Sequence, residues 1–175
     1  MKKATLILAL SSLSILAVAN DAMPKTFTIR AGYSYLANKD ARDLTSTSGF
    51  IVGVGYDLSG MMKGMGANGT NVSLDVDYDY HNGNSNKISN LSAQIVGRFP
   101  FSQETKKGGT NFYGGIGAGV FDTQVPGQTK ANIGGTVLVG ADMGGQFSLE
   151  ASYRLVASTN GVTPATINFT IGMKF

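Results

Sequence analysis

The sequence predicts an all-β fold: eight antiparallel strands, connected up and down in chain order and closed into a transmembrane β-barrel. Three observations carry that reading. Eight segments alternate with period two between an apolar or aromatic face and a small or polar one, and in an extended chain every second side chain shares a face. The polar face is mostly Gly, Ser, Thr and Asn with a minority of charges, which suits a cramped interior better than a solvated exterior rich in Lys and Glu. Phe27, Phe99, Phe112, Phe147 and Phe175 lie near segment ends that share one rim if the strands run up and down, as an aromatic girdle at a membrane interface does.

The chain opens on Lys2 and Lys3, followed by an apolar run from Ala4 to Val18 that ends in Ala17-Val18-Ala19. This is the pattern of a secretory signal peptide cleaved after Ala19, so residues 1–19 are a leader and residues 20–175 form one domain. With no cysteine anywhere, a disulfide framework and a lipid-modified N-terminal cysteine are both excluded. Without Lys2 and Lys3 the chain carries twelve basic and eleven acidic residues, so the basic isoelectric point is no argument for nucleic-acid binding. No second apolar run is long enough to cross a membrane as a helix.

The strands follow in order. Thr26 to Leu36 places Phe27, Ile29, Ala31, Tyr33 and Tyr35 opposite Thr28, Arg30, Gly32 and Ser34. Gly49 to Leu58 sets Phe50, Val52, Val54 and Tyr56 against Gly53, Gly55 and Asp57. Ser73 to Gly83 carries Asp75, Asp77 and Asp79 on one face, with Val76, Tyr78 and Tyr80 on the other. Asn90 to Phe99 has Ser92, Gln94 and Arg98 on its polar side. Asn111 to Phe121 alternates glycine with Ile116, Ala118 and Val120, leaving space for side chains from opposite walls. Ile133 to Met143 and Phe147 to Leu155 are joined by the tight link Gly144-Gly145-Gln146, and Ala165 to Phe175 alternates to the last residue. The links expected at the outward end are Ala37–Ser48, His81–Ser89, Asp122–Asn132 and Val156–Pro164. Those at the end holding the termini, residues 59–70 and 100–110, are long for such a barrel.

A final strand that places Ile167, Phe169, Ile171, Met173 and Phe175 on one face resembles the C-terminal assembly signal of bacterial outer-membrane barrels. Thr170 and Met173 stand where that pattern usually has glycine and an aromatic residue. The stretch "NFYGGIGAGVF" resembles the glycine-alternating strand of the small opacity-type and outer membrane protein A-like barrels, and "FSLEASYRL" resembles their penultimate strand. The resemblance implies a monomeric barrel in the bacterial outer membrane. Its partners are outer-membrane lipid, the barrel assembly machinery and periplasmic chaperones, and it takes no cofactor. It implies a structural or surface-interaction role. Alternatives on related barrels are a binder or passive conduit for small apolar ligands, and a lipid-modifying enzyme.

The interior is expected to hold a charge network of Arg30, Asp57, Asp75, Asp77, Asp79, Arg98, Glu150, Arg154 and Lys174. Neighbouring strands suggest Arg98 with Asp75, Gln94 with Asp77 or Asp79, Arg30 with Asp57, and Lys174 with Glu150. Asp79, nearest the mouth, is expected to be reached by water. The three acids do not make a calcium loop, since Tyr80 stands where an EF-hand needs glycine. His81, the only histidine, would be the general base of a hydrolase, but no motif sets a serine beside it. The "GGIGAGV" run lacks the G-x-G-x-x-G spacing, so nucleotide binding is rejected.

If Phe175 belongs to an assembly signal, its deletion lowers the yield of heat-modifiable barrel in the outer membrane while leader cleavage proceeds. Normal assembly of the deletion would refute that assignment.

Overall fold

The computed structural model describes residues 26–59, 70–101 and 109–175. The expected leader and most of the two long links lie outside the described residues, including the Met61 to Met65 stretch. Eight strands form one closed antiparallel barrel in which each pairs with the next and the last with the first. They are β1 (Phe27–Leu36), β2 (Ser48–Asp57), β3 (Asn71–Gly83), β4 (Asn86–Pro100), β5 (Thr110–Val125), β6 (Gln128–Met143), β7 (Phe147–Val156) and β8 (Thr166–Lys174). Closure leaves no sheet edge in the wall, as a hydrocarbon environment demands of backbone N–H and C=O groups. At the terminal end Phe27 and Phe175 exchange both backbone hydrogen bonds, 3.1 and 2.8 Å.

The alternation in the sequence is the inside and outside of this wall. Ile116, Val137, Ile133 and Ile171 are among the residues that project outward, with exposures from 55% to 78%. Phe27, Phe99, Phe112 and Phe147 are exposed at the terminal end. A second aromatic group, unmarked in the sequence reading, lies near the other end: the Phe50 ring centroid is 5.6 Å from that of Tyr80 and 6.4 Å from that of Tyr78.

Inward glycines admit side chains of neighbouring strands more than those of opposite walls. A Cβ on Gly119 would strike the Ala93 carbonyl and lie 2.8 Å from Gln94 Cγ, and one on Gly117 would lie 2.9 Å from Val96 Cγ2. Gly134 gives way to the Phe121 ring, and Gly140 to that of Tyr113.

Two outward links differ from expectation. In place of loops over His81–Ser89 and Asp122–Asn132, strand pairing runs on to two-residue turns. Asn84 and Ser85 both have positive φ, 50° and 62°, as the hairpin turn between twisted strands requires. Pro126-Gly127, with Gly127 at φ 81°, joins β5 to β6. The period-two signal disappears here because the faces reverse their chemistry: beyond the bilayer the outside is wet, and the apolar residues Ile88 and Val125 point inward. The link after β1 holds a short helix, α1 (Lys39–Leu44), whose start is capped by the Asn38 side chain accepting from Asp40 N–H. Leu36, Ala41, Ile88, Val125 and Val162 form an apolar cluster that closes the far end of the barrel, with Leu44 packed against it.

Gly119→Val should lower the unfolding free energy of the refolded barrel by about 1–3 kcal/mol through overpacking. Gly135→Ala, whose Cβ meets only the Gly117 carbonyl at 3.4 Å, should change it by less than about 0.5 kcal/mol. Urea titration in lipid checks both, and equal effects would show that the inward glycines are not required for packing.

Candidate functional site in the barrel interior

The site is built by register. Arg30 of β1 lies opposite Gly53 of β2, and Gly53 lies opposite Asp77 of β3. A Cβ at position 53 would collide with the Asp77 carboxylate. Glycine therefore leaves a window through which a β1 side chain reaches a β3 side chain. Arg30 Nε donates to Asp77 Oδ1 at 2.7 Å, and its Nη1 pairs with Asp75 Oδ2 at 2.9 Å. From the opposite wall, Arg154 Nη2 of β7 donates to Asp77 Oδ2. Asp77 is 1% exposed and each of these arginines 5%.

Toward the terminal end, Ser73 Oγ donates to Asp75 Oδ1 at 2.8 Å, and Arg98 Nη2 to Asp75 Oδ2 at 2.9 Å. Arg98 also donates from Nη1 to Ser73 Oγ at 2.7 Å and from Nε to Glu150 Oε2 at 3.0 Å, which Tyr113 Oη also approaches at 3.3 Å. Three guanidiniums thus stand among three acids: Arg30, Arg98 and Arg154 with Asp75, Asp77 and Glu150. At the terminal end itself, Lys174 Nζ donates to Asp142 Oδ2 at 2.6 Å. A polar cavity of about 110 Å³ remains there, lined in part by Arg30, Asp57, Arg98 and Lys174.

The structure brings Arg98 to Asp75 and corrects the other suggested pairs. Arg30 does not meet Asp57, which accepts from Asn71 Nδ2 and Ser59 N–H, each at 2.7 Å. The glycine window lets Arg30 pass β2 and reach β3 instead. Lys174 does not meet Glu150, because register sets Glu150 opposite Thr170, four residues or roughly 13 Å along the strand from Lys174. It crosses β7 to Asp142 of β6. Gln94 reaches neither Asp77 nor Asp79: its Oε1 accepts from Thr136 Oγ1 at 2.6 Å and its Nε2 donates to Ser92 Oγ at 3.3 Å. Asp79 is not open to solvent, being 1% exposed. Its Oδ1 accepts from Asn90 Nδ2 at 3.0 Å.

A serine does lie beside His81. Ser34 of β1 is opposite Gly49, and Gly49 is opposite His81, so Ser34 Oγ sits 3.0 Å from His81 Nε2 through a second glycine window. Ser34 was visible in the sequence on the polar face of its strand; only register joins it to His81. A hydrolase would set the acid on the other ring nitrogen. Here Asp79 Oδ1 is 4.0 Å from the same Nε2, and Ser34 and His81 are fully buried. The arrangement sets an imidazole against a buried hydroxyl. Asp142, Asn71, Asn90 and Tyr113 also belong to the interior although sequence reasoning did not single them out. Asp142 shares an alternate-residue face with Gly134, Thr136 and Leu138, a sufficient signal; Tyr113 among glycines gave none.

A model of the outer membrane protein beta-barrel domain matches residues 5–175. Among solved structures, Neisserial surface protein A is similar over 85% of this chain and 97% of its own, at 19% identity and a TM-score of 0.52. The N-terminal β-barrel domain of Pseudomonas aeruginosa OprF is similar over 86% and 98%, at 12% identity and 0.54. The outer membrane enzyme PagL is similar over 85% and 98%, at 14% identity and 0.55. Similarity this distant concerns the fold alone. No curated protein matches the chain.

Asp77→Asn strands Arg154, which has no other carboxylate partner among the described residues, and should cost about 3–5 kcal/mol of unfolding free energy. Adding Arg154→Met should recover part of that loss, while Asp79→Asn, which strands no cation, should cost least. A double mutant as unstable as Asp77→Asn alone would argue against the pairing.

Proposed function

Because the chain belongs to the outer membrane protein beta-barrel domain family, we propose that it serves the outer membrane as a closed barrel with a structural or surface-interaction role and catalyses no reaction. The observation that carries this reading is the double closure of its interior. Ion-paired side chains from β1, β3, β4 and β7 cross the middle, and the apolar cluster around Leu36 and Ile88 seals the far end. An eight-stranded barrel has an interior that side chains nearly fill, and here charge pairing holds those side chains in place.

In this reading residues 1–19 direct export and are removed, the last strand with Ile167, Phe169, Ile171, Met173 and Phe175 is read by the assembly machinery, and chaperones carry the unfolded chain across the periplasm. The long links at the terminal end then lie on the periplasmic side, and the two-residue turns and α1 face outward. The barrel works as a monomer in lipid.

The enzyme reading draws on the likeness to PagL and on the Ser34–His81 contact. Against it stand the burial of both groups and the acid on the wrong side of the ring. A binder of small apolar ligands draws on a hollow of about 650 Å³ on the outer wall, bordered by Phe101, Phe112, Leu149 and Phe169. That hollow faces the bilayer, whose acyl chains fill it.

Reconstituted in planar bilayers near neutral pH, the pure protein should give no large, persistent conductance. Steady porin-like current from monomer would overturn the closed interior, and lipid turnover lost in His81→Ala would favour the enzyme.

A further inference from the structure

The charge network leaves two titratable groups unmatched. Asp79 is the next acid beyond Asp77, and among the described residues no arginine or lysine forms an ion pair with it. Its neighbours are Asn90 of β4 at 3.0 Å and His81 of its own strand, with Nε2 at 4.0 Å from Oδ1. At longer range Arg154 of β7 attracts the carboxylate and Asp77 repels it. Thr123 Oγ1 of β5 donates to Asn90 Oδ1 at 2.7 Å, which fixes that amide with its Nδ2 toward Asp79.

His81 faces uncharged groups on its remaining sides. Ser34 of β1 contacts Nε2, and Asn168 of β8 is the partner of Ser34 in register. Gly49 of β2 leaves the room the ring occupies, since a Cβ there would lie 2.7 Å from Nδ1. Polar backbone groups of Ser46 to Ser48 lie against the imidazole and offset only part of the cost of charging it in this buried place. The charges of α1 are engaged elsewhere or exposed: Lys39 pairs with Asp43 at the surface, Arg42 donates to Tyr35 Oη, and Asp40 is exposed.

We propose that Asp79 and His81 hold one proton between them, and that uptake of a second proton in acid unseats the apolar cap at the far end of the barrel. With no proton the pair is a buried anion without a cation of its own. With one proton it is neutral overall, the carboxyl group of Asp79 holding the proton beside an uncharged imidazole. With two, a buried imidazolium faces a neutral acid and has no counter-ion. A buried charge left unpaired is costly, and the cost is relieved by admitting water.

The side of the pair away from the ion-paired middle is the cap. Ile88 is opposite His81 in register and Leu36 is two residues beyond Ser34, and both belong to the cluster of five buried residues. The link over the ring is held by Leu36 N–H to the Thr47 carbonyl at 2.9 Å and Thr45 Oγ1 to the Asn86 carbonyl at 3.0 Å. Acid therefore loosens this end, while the ion-paired middle has no reason to follow. The inference takes the resting interior to be closed, as proposed above.

His81 is the only histidine, so histidine-selective ¹⁵N labelling of the barrel in nanodiscs reads its ring alone. The sample is titrated from about pH 8 to about pH 4 while amide protection is followed at Leu36, at Ala37, which donates to the Ala165 carbonyl at 2.8 Å, and at Ile95 in mid-strand. Formation of imidazolium should coincide with at least about a tenfold fall in protection at Leu36 and Ala37, with Ile95 unchanged. In His81→Gln the cap should stay protected throughout. In Asp79→Asn the response should persist at the same or a higher pH, because the carboxylate no longer competes for the first proton.

Cap loosening while the ring stays neutral, imidazolium forming under a fully protected cap, or a His81→Gln cap that loosens like the wild type would each overturn the proposal. The wild-type titration decides even if a variant fails to fold. Steady conductance near neutral pH would refute the closed interior, whereas an uncoupled titration would refute only the shared proton.

Discussion

The interior of this barrel is organised around the neutralisation of one carboxylate. Asp77 lies on a strand whose other face meets lipid, with almost no access to water, and such a group is tenable only when cations hold both oxygens. Its cations come from β1 and β7, strands with which β3 shares no backbone ladder. The salt bridges therefore do what hydrogen bonding between neighbours cannot: they fix walls of the cylinder relative to one another across the hollow. They also fix register. A one-residue slip of β3 would turn Asp75, Asp77 and Asp79 toward lipid and Val76 and Tyr78 inward.

This placement of charge inverts the arrangement of a water-soluble domain. Apolar residues along the strands face the bilayer, so removal of apolar surface from water occurs on insertion and not through a buried core. Conventional apolar packing appears where the wall leaves the membrane, in the cluster of Leu36, Ala41, Ile88, Val125 and Val162, and at a smaller cluster of Val96, Tyr113 and Leu138 inside. The two chemistries meet at His81, with paired charge on one side and aliphatic packing on the other.

The strand pattern was legible because lipid imposes a strict chemical alternation over about ten residues, and wherever that alternation held, the faces of the strands could be assigned. It failed where lipid ends: the segment read as Ser73 to Gly83 does end where β3 ends, but the start of β4 at Asn86 and the continuation of β5 to Val125 left no mark. The interior residues were legible one by one, from their place opposite the apolar face. Their partners were not, because nearest-neighbour reasoning assumes that every strand contributes a side chain at each level. Gly49 and Gly53 break that assumption by contributing none, and Ser34 and Arg30 reach past them. Lys174 shows the other limit: a shift of four residues in register decides between Glu150 and Asp142, and nothing in composition encodes such a shift.

The outward links have a further consequence. Asn84-Ser85 and Pro126-Gly127 are two-residue turns, the Val156–Pro164 link is drawn together by the Thr159–Val162 bridge, and the link after β1 is tied down by α1 and its cap contacts. With this end facing outward, as proposed, an antibody or receptor meeting it would find stiff hairpins whose shape is already set. It loses little entropy in ordering them on contact, but it must match their form closely, and an extracellular protease finds few extended, yielding segments to draw into its cleft.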